Sequence, residues 1–343
     1  MKALVLESYN QLVYKDEPMP EYKSNEVLVR VKACGICGSD VHGMDGSTGR
    51  RMPPLIMGHE AAGVIAAAGV DVKHFSIGDR VTFDSTVFEL NDWYTLRGRY
   101  NLSDHRKVLG VSPKEYQRNG AFAEYVVVPE HILHNIPEKV SFVQAAMVEP
   151  VAVATHAIQL TPIGMRDTVV VVGAGMIGLF LIQVLTLSNA GIIIAIDIDE
   201  QKLDLARKFG ADHCFNPERD DAEKLILSLT NGRGADVAFE AVGIGATVNF
   251  AINNVRKGGT VTLVGNLAPQ VDFPLQSVVT REIRVQGSCA IAGEYPLVLD
   301  MMDKGLIDVN SLLSARAPLS EGALWFKRLY DKEPGLNKVV LEP

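Results

Sequence analysis

Cysteine is scarce in this chain, and its scarcity excludes one broad class of protein. Four cysteines in 343 residues are too few for the disulfide framework on which small secreted domains depend. The N-terminal segment, MKALVLESYN, also lacks the long apolar core and the small-residue cleavage site of a signal peptide. We therefore expect the protein to work in a reducing cytoplasm.

Excess positive charge and repetitive sequence are missing as well. The formal net charge is -8, and neither nucleic acid nor an anionic membrane gains energy from meeting an acidic protein. The sequence has no internal repeat and no low-complexity tract. With 47% hydrophobic and 22% charged residues, its composition is ordinary for a globular protein, and its length suits two domains. We expect a small-molecule substrate, no nucleic-acid partner and no membrane partner.

The stretch from 167 to 197 predicts a β-α-β unit with a glycine-rich turn. Thr168 to Val172 is β-branched throughout, as in a strand that is buried on both faces of a parallel sheet. Gly173, Gly175 and Gly178 follow at the G-x-G-x-x-G spacing. In that motif the first glycine makes the turn, the second admits a pyrophosphate to the backbone, and the third lets the helix pack on the strand.

An acidic residue completes this pattern. Asp197 ends the next strand about 20 residues on, where a carboxylate binds the ribose 2′-hydroxyl of a dinucleotide. Since a carboxylate repels a 2′-phosphate, we expect NAD rather than NADP. Two other interpretations remain open, a glycine turn that binds nothing and a membrane helix, because no charge interrupts Thr168 to Ile196. The polar Ser188-Asn189 break and the β-branched Ile192 to Ile194 favour the β-α-β unit over a membrane span.

The organisation of the chain changes on either side of this stretch. Residues 1 to about 150 are rich in short strands and turns, whereas residues from about 153 to 290 alternate strands with helices. The remaining strands of this second part are expected near His213 to Phe215 and at Asp236 to Phe239, Gly259 to Val264 and Ile283 to Gln286. They bring the number to six, that of a complete doubly wound sheet. The tail from about 291 ends in the strand-like Lys338 to Leu341 and is expected to rejoin the first part.

Three segments before residue 153 carry side chains that bind metals. They are the stretch CGICGSDVH from Cys34 to His42, the triplet Gly58-His59-Glu60, and Val148-Glu149-Pro150. Thiolate, imidazole and carboxylate are ligands of catalytic zinc, which keeps one coordination position open for substrate or water. Each signal alone is weak, because a lone cysteine is more often a small buried hydrophobe and C-x-x-C also fits redox chemistry. Their co-occurrence with a nicotinamide-type fold gives them weight.

In these motifs and in VGAGMIG, the chain resembles the zinc-dependent medium-chain dehydrogenases, and most of all their sorbitol or polyol dehydrogenase branch. The similarity extends over essentially the whole chain. It implies an α/β protein with a GroES-like, mostly-β catalytic domain at 1–152 and 291–343. A doubly wound, six-stranded Rossmann domain is implied at 153–290, and the family suggests a homodimer or homotetramer.

The resemblance also implies a role for individual residues. It makes Cys37 and His59 zinc ligands, and Glu60 and Glu149 the carboxylates that bind the metal directly or through water. Cys34 is expected to pack in the core. The implied proton relay consists of Ser39, which takes the substrate proton, and His42, which passes it towards solvent. Asp40 is expected to orient His59. The residues implied in cofactor binding are Gly173, Gly175, Met176, Ile177, Gly178, Asp197, Lys202, Val242, Val264, Gly265 and Ser288.

One departure from the family pattern concerns the metal count. Many relatives hold a second, structural zinc in a lobe with four closely spaced cysteines. The matching stretch of this chain carries Glu89, Asp92, Thr95 and Ser103. Because no thiolate remains there, we expect one catalytic zinc per subunit and no structural zinc.

A second departure concerns the substrate. Sorbitol dehydrogenases typically place a tyrosine just after the CGSDVH motif and an Arg-Tyr pair after the last Rossmann strand. Those places hold Gly43 and Ala290-Ile291 here. We therefore expect a substrate other than sorbitol, or one held by groups such as Arg50 or Arg51. Those two arginines fit a solvated loop better.

The reaction implied is reversible oxidation of a secondary alcohol to a ketone, with hydride transfer to NAD and zinc as the Lewis acid. The substrate class is a polyol, a sugar alcohol or a related small molecule. Threonine, butanediol and sugar-alcohol-phosphate dehydrogenase activities are alternatives within the family. A non-catalytic nucleotide-binding regulator is an alternative outside it, since fold does not fix function. A regulator is disfavoured because every residue expected to bind the catalytic zinc is present in the sequence.

Overall fold

A computed structural model describes residues 1–111 and 118–343 of the chain. These residues form two compact units, one of Met1–Glu149 with Ile291–Pro343 and the other of Pro150–Ala290. Each unit has an apolar core of its own. Among the described residues, no helix combines the length and the apolar character that a membrane crossing requires.

The secondary-structure elements are numbered in chain order. The strands are β1 (Lys2–Ser8), β2 (Gln11–Asp16), β3 (Glu26–Gly35), β4 (Leu55–Ile56), β5 (Glu60–Ala68), β6 (Arg80–Phe83), β7 (Thr86–Val87), β8 (Lys107–Val108), β9 (Tyr125–Pro129), β10 (Leu133–Asn135), β11 (Thr168–Val172), β12 (Ile192–Ile196), β13 (His213–Phe215), β14 (Ala235–Glu240), β15 (Val255–Leu263), β16 (Arg284–Gly287), β17 (Leu313–Pro318) and β18 (Lys338–Glu342). The α-helices are α1 (Gly38–Gly43), α2 (Phe142–Ala145), α3 (Val148–Gln159), α4 (Met176–Thr186), α5 (Glu200–Lys208), α6 (Ala222–Leu229), α7 (Gly245–Asn254), α8 (Leu275–Thr280), α9 (Tyr295–Asp303) and α10 (Gly322–Tyr330).

The main sheet of the first unit is organised around β3. In the described residues its strands follow the order β10-β6-β5-β3-β18-β17, and β9 also pairs with β3. The pairs of β3 with β5, β9 and β18 are all antiparallel. Because β18 comes from the C-terminal tail, the end of the chain is built into a sheet that begins near its start.

The second unit contains a parallel sheet with the strand order β13-β12-β11-β14-β15-β16. The chain enters at the centre, winds to one edge, and returns to the centre before it winds to the other edge. This is the doubly wound order, and the expected count of six strands is confirmed. The four valines of β11, Val169 to Val172, are at most 2% exposed, which agrees with a strand covered on both faces.

Two local features differ from the sequence expectation. The short helix α1 begins within the CGSDVH motif and ends at Gly43 just after it, a stretch with too few residues to show a helical period. The sequence pattern predicts both Cys214 and Cys289 in strands. Cys214 lies in β13, whereas Cys289 stands two residues beyond the end of β16 and is not in a strand.

Candidate metal centre and nucleotide-binding edge

Three of the predicted zinc ligands meet in the first unit. One ligand atom each from Cys37, His59 and Glu60 lies within 4.8 Å of the other two. Cys37 follows the end of β3 and caps α1, while His59 and Glu60 stand at the start of β5. The pairing of β3 with β5 places Gly35 opposite Glu60, which brings the two segments together. A sulfur, an imidazole nitrogen and a carboxylate oxygen at this spacing fit a zinc ion.

Asp40 is buried beside His59. Its Oδ1 lies 3.4 Å from His59 Nδ1, and its Oδ2 accepts a hydrogen bond from the backbone N–H of Cys37 at 3.3 Å. With Nδ1 turned to Asp40, Nε2 is the ring nitrogen left for a metal. Burial opposes protonation of His59, but the negative charges of Asp40 and Cys37 outweigh it and raise its pKa. A metal therefore competes with a proton for this histidine.

Lys338 is a site residue that the sequence reasoning missed. Its Nζ forms an ion pair with Glu60 Oε2, and the two side chains are 2% and 1% exposed. It also donates to the backbone oxygen of Ile36 at 3.1 Å. A Cβ on Gly35 would lie 2.5 Å from Glu60 Oε2 and 2.9 Å from Lys338 Cε, so this pair requires a glycine there. The only sequence feature that could have indicated this role is a lysine at the start of an apolar strand.

Glu149 lies in the first turn of α3, outside the three-residue ligand cluster found among the described residues. Burial raises the pKa of its carboxyl to about 7, His59 acts in the opposite direction, and the charge of Glu60 adds to the rise. The two predicted carboxylates thus differ in their surroundings. Glu60 is neutralised by Lys338, whereas Glu149 faces a like charge.

The structure places Ser39 beside the cluster and His42 at the surface. Ser39 Oγ donates a hydrogen bond to Cys37 Sγ at 3.2 Å and accepts one from Arg51 Nη2 at 3.0 Å. His42 is exposed and follows Ser39 by three residues on α1, which puts both side chains on one face of the helix. The expectation of a solvated loop holds for Arg50, which is exposed. It is wrong for Arg51, which is 0% exposed because it pairs with buried Asp40.

The positions that differ from sorbitol dehydrogenases are small or apolar in the structure. Gly43 is buried in α1, and Ile291 is 1% exposed. The stretch that matches the structural-zinc lobe is held by hydrogen bonds. The Asp92 carboxylate accepts from the backbone N–H groups of Thr95 at 2.8 Å and Asp104 at 3.4 Å. Of the other aligned positions, Glu89 is exposed and Ser103 is buried.

Polar groups that the sequence did not single out lie near the cluster. The Tyr100 hydroxyl donates to Asp84 at 2.6 Å, and burial raises the pKa of Asp84 to about 6. Tyr295 is 1% exposed and stacks on His134 with 4.9 Å between ring centroids. Burial raises the pKa of Tyr295, and the charges of Asp84 and Glu149 add to the rise. The Tyr100 hydroxyl is thus engaged by Asp84, and Tyr295 is shielded from solvent.

In the second unit, the three glycines lie where β11 passes into α4. Gly173 has a φ of +95°, in the region that favours glycine, and Gly175 caps α4. A Cβ on Gly178 would lie 1.8 Å from the backbone oxygen of Gly173, so only glycine lets the helix pack this closely. A Cβ on Gly175 would have no atom within 4 Å, and the space above this backbone is open. Met176 and Ile177 form the first turn of α4.

Asp197 is fixed beside this turn. Its Oδ2 accepts from the backbone N–H of Ala174 at 2.7 Å, and its Oδ1 accepts from that of Asp199 at 2.9 Å. Lys202 lies in α5 and forms an ion pair with Asp199 at 3.9 Å. The acid thus connects the end of β12 to the glycine turn.

The remaining predicted cofactor residues, Val242, Val264, Gly265 and Ser288, follow β14, β15 and β16. They lie at the carboxyl edge of the sheet, the edge at which doubly wound folds bind ligands. Glu240, which the sequence reasoning missed, organises this edge. Its buried Oε1 accepts from the backbone N–H groups of Val242 at 2.9 Å and Gly243 at 2.8 Å.

Known proteins match the chain along its length. Residues 23–138 match the alcohol dehydrogenase GroES-like domain, and residues 177–304 match the zinc-binding dehydrogenase family. The sorbitol dehydrogenase of Bacillus subtilis (strain 168) is 34% identical, over 100% of this chain and 97% of that protein. The D-arabitol-phosphate dehydrogenase of Enterococcus avium is 33% identical, over 97% and 94%. Among solved structures, the alcohol dehydrogenase of Thermus sp. ATN1 matches with a TM-score of 0.93 at 30% identity, over 100% and 99%.

Proposed function

The chain belongs to the zinc-dependent medium-chain dehydrogenases, in their polyol dehydrogenase branch, and on that premise we propose that it oxidises a secondary alcohol of a small polyol or sugar-alcohol derivative to a ketone. The observation that carries the proposal is the cluster of Cys37, His59 and Glu60 in a chain that also has the glycine turn and Asp197. Oxidation is reversible, and a nicotinamide cofactor, when bound, accepts the hydride.

Cys37, His59 and Glu60 would hold the zinc, and Glu149 would be a further carboxylate for it, bound directly or through water. When bound, zinc supplies a Lewis acid that stabilises the negative charge developing on the substrate oxygen. We propose one zinc per subunit. The absence of a structural zinc is supported by Asp92, in the stretch that matches the structural-zinc lobe of relatives. Its carboxylate already accepts hydrogen bonds from two backbone N–H groups.

The side chains around this centre divide the remaining work. Ser39 Oγ accepts the hydroxyl proton of the substrate and releases its own proton towards His42 and solvent. Asp40 holds the ring of His59, and Lys338 balances the charge of Glu60. The contacts of Asp40 with His59 and of Lys338 with Glu60 support these two roles.

We propose NAD as the preferred cofactor. The Asp197 carboxylate is fixed by the backbone N–H groups of Ala174 and Asp199, so it cannot swing away from a ribose bound at the turn. A ribose diol donates hydrogen bonds to a carboxylate, whereas a 2′-phosphate is repelled by it.

We also propose that D-sorbitol is not the best substrate. Gly43, Ala290 and Ile291 offer no side-chain donor where sorbitol dehydrogenases carry tyrosine and an Arg-Tyr pair. Each polyol hydroxyl that is desolvated without a partner costs about 1 to 3 kcal/mol.

Two structural proposals accompany this function. The GroES-like catalytic domain comprises 1–152 and 291–343, and the Rossmann domain comprises 153–290. The compact units, divided at 149/150 and 290/291, support these limits. The protein assembles as a homodimer or homotetramer, which light scattering on the eluting protein measures.

One substrate panel tests the function. Steady-state kinetics on sorbitol, xylitol, 2,3-butanediol, threonine and a hexitol phosphate, each with NAD and NADP, follow the reduced cofactor by absorbance. We expect an alcohol other than sorbitol to give the highest kcat/KM, and NAD to be preferred. Highest activity on sorbitol contradicts the substrate proposal, parity of the cofactors contradicts the role of Asp197, and nucleotide binding without any turnover indicates a regulator.

A further inference from the structure

Arg51 is the largest fully buried side chain of the described residues, with 0% exposure. Its Nη2 donates to Asp40 Oδ1 at 2.6 Å and to Ser39 Oγ at 3.0 Å. Its Nε and Nη1 are buried and have no hydrogen-bond partner among the described residues. Buried donors without partners cost free energy, so a purely structural role is a poor account of this guanidinium.

We propose that Arg51 is a positioning residue for proton transfer, one that fixes the direction of the Ser39 hydroxyl. A serine oxygen has one proton and two lone pairs. The N–H of Arg51 occupies one lone pair, and the proton of Ser39 points to Cys37 Sγ at 3.2 Å. One lone pair therefore remains on Oγ, and it is free to accept a further proton.

This geometry defines the proton step, which rests on the proposed function. As the hydride leaves the substrate carbon, the free lone pair of Ser39 Oγ accepts the hydroxyl proton of the substrate. The oxygen then gives up its original proton, which leaves its hydrogen bond to Cys37 Sγ and passes to the exposed imidazole of His42, so one O–H bond forms as another breaks. In ketone reduction the same hydroxyl donates its proton to the substrate oxygen. Without Arg51 the hydroxyl is held only by its hydrogen bond to Cys37 Sγ, and a smaller fraction of its orientations is productive.

Gly43 makes room for this arginine. A Cβ on Gly43 would lie 3.0 Å from Cγ and Cδ of Arg51 and 3.2 Å from its Nε. Those distances are tighter than ordinary van der Waals contact, so any side chain at 43 pushes on Arg51. Gly43→Ala therefore moves the guanidinium without replacing it and without touching a predicted metal ligand.

The test is a double-mutant cycle between Arg51 and Ser39. Arg51→Met, Arg51→Lys, Ser39→Ala and the double variant Arg51→Met with Ser39→Ala are assayed on the best substrate of the panel, with zinc content measured for each. Arg50→Met is the matched control, because Arg50 is the exposed neighbour. We expect Arg51→Met to lower kcat about 10- to 100-fold with zinc retained and KM little changed, the usual effect of losing a positioning partner. Arg51→Lys should recover part of the loss, and Arg50→Met should match the wild type.

The decisive result is how far Arg51→Met lowers kcat when Ser39 is already replaced by alanine. If Arg51 acts through Ser39, adding Arg51→Met to Ser39→Ala lowers kcat no more than about twofold further. An equal loss in both backgrounds, or wild-type kcat in Arg51→Met, overturns the proposal. If Arg51→Met does not fold or loses zinc, the same cycle is run with Gly43→Ala, which should lower kcat less and only where Ser39 is present. A wild-type protein that oxidises no alcohol overturns the proposed function itself, which separates the two failures.

Discussion

The two units of this chain build their candidate sites from different materials. In Pro150–Ala290, Gly173 and Gly175 stand in the turn before α4 and Gly178 in the first turn of that helix, and the surface they provide is backbone. In the other unit the metal centre consists of side chains, and its ion pair of Lys338 with Glu60 joins residues 278 positions apart. The glycine site depends on how closely a ligand can approach the backbone. The metal centre depends on the strand pairing that joins distant residues and on buried charge.

The buried charges differ in the same way. The metal unit buries two ion pairs, one of Asp40 with Arg51 and one of Glu60 with Lys338. In the nucleotide unit the buried carboxylate of Glu240 is held by backbone N–H groups. Removing one partner of a buried pair leaves an uncompensated charge, whereas crowding a backbone turn causes steric strain. The two units should therefore respond to different perturbations.

Removal of zinc is the largest expected effect. Chelation should lower turnover by about ten-thousandfold or more, because a metal Lewis acid supplies several kcal/mol of transition-state stabilisation. Binding of the reduced cofactor, followed by its fluorescence, should not change, since no predicted metal ligand contributes to the glycine turn. Zinc added back should restore activity. Loss of cofactor binding together with zinc would show that the two sites are not built independently.

Breaking the buried ion pair is the next largest effect. In the zinc-free protein, Lys338→Met should lower the free energy of unfolding by about 3 to 5 kcal/mol, because Glu60 is then left charged and buried without its cationic partner. Lys327→Met is the matched control, since it breaks a Lys–Asp pair whose side chains are 72% and 53% exposed. That surface change should cost no more than about 1 kcal/mol. Denaturant unfolding measures both, and equal losses would contradict the role given to burial.

Two glycines of the turn should respond differently to alanine. Gly178→Ala places a Cβ 1.8 Å from the Gly173 oxygen and should lower stability by about 1 to 3 kcal/mol. At Gly175 a Cβ meets nothing within 4 Å, so Gly175→Ala should cost less than about 1 kcal/mol of stability but weaken NAD binding. Thermal unfolding and cofactor titration separate the two effects. Equal stability losses would mean that steric crowding does not distinguish the two positions.

The smallest expected effect is a pH dependence of the free energy of unfolding that comes from His134 in the metal unit. Burial lowers the pKa of His134 to about 4, below the ordinary value of 6.5. Its contribution to stability is therefore complete above pH 6.5 and is lost as the pH falls towards 4. Between pH 7 and pH 4.5 the wild type should lose about 1 to 2 kcal/mol more than His134→Phe, which keeps a ring on Tyr295. Unfolding curves at the two pH values measure this difference, and parallel losses would contradict it.

Local patterns were sufficient to predict the nucleotide unit from sequence. The β-branched run of β11, the spaced glycines and the acid at Asp197 each specify a conformation within a few residues, and the strand order confirms the doubly wound sheet. The Asp199 cap of α5 is also local, because its side chain accepts from Gln201 N at 2.9 Å.

The rest of the metal centre could not be predicted in this way. Lys338 reaches Glu60 only because β18 pairs with β3, and no spacing rule connects residues so far apart. Arg51 resembled a surface arginine because arginine is almost never fully buried without a partner. Its partners, Asp40 and Ser39, lie 11 and 12 residues away, on a helix too short to show a period.

X-ray absorption at the zinc edge, combined with elemental analysis of the purified protein, tests the central claim most directly. We predict one zinc per chain with a single sulfur ligand and otherwise nitrogen and oxygen ligands, because Cys37 is the one cysteine in the ligand cluster of the described residues. Cys37→Ser should remove the sulfur signal and most of the zinc. Two zinc ions per chain, a sulfur-rich coordination sphere, or an unchanged spectrum in Cys37→Ser would contradict a metal centre built from Cys37, His59 and Glu60.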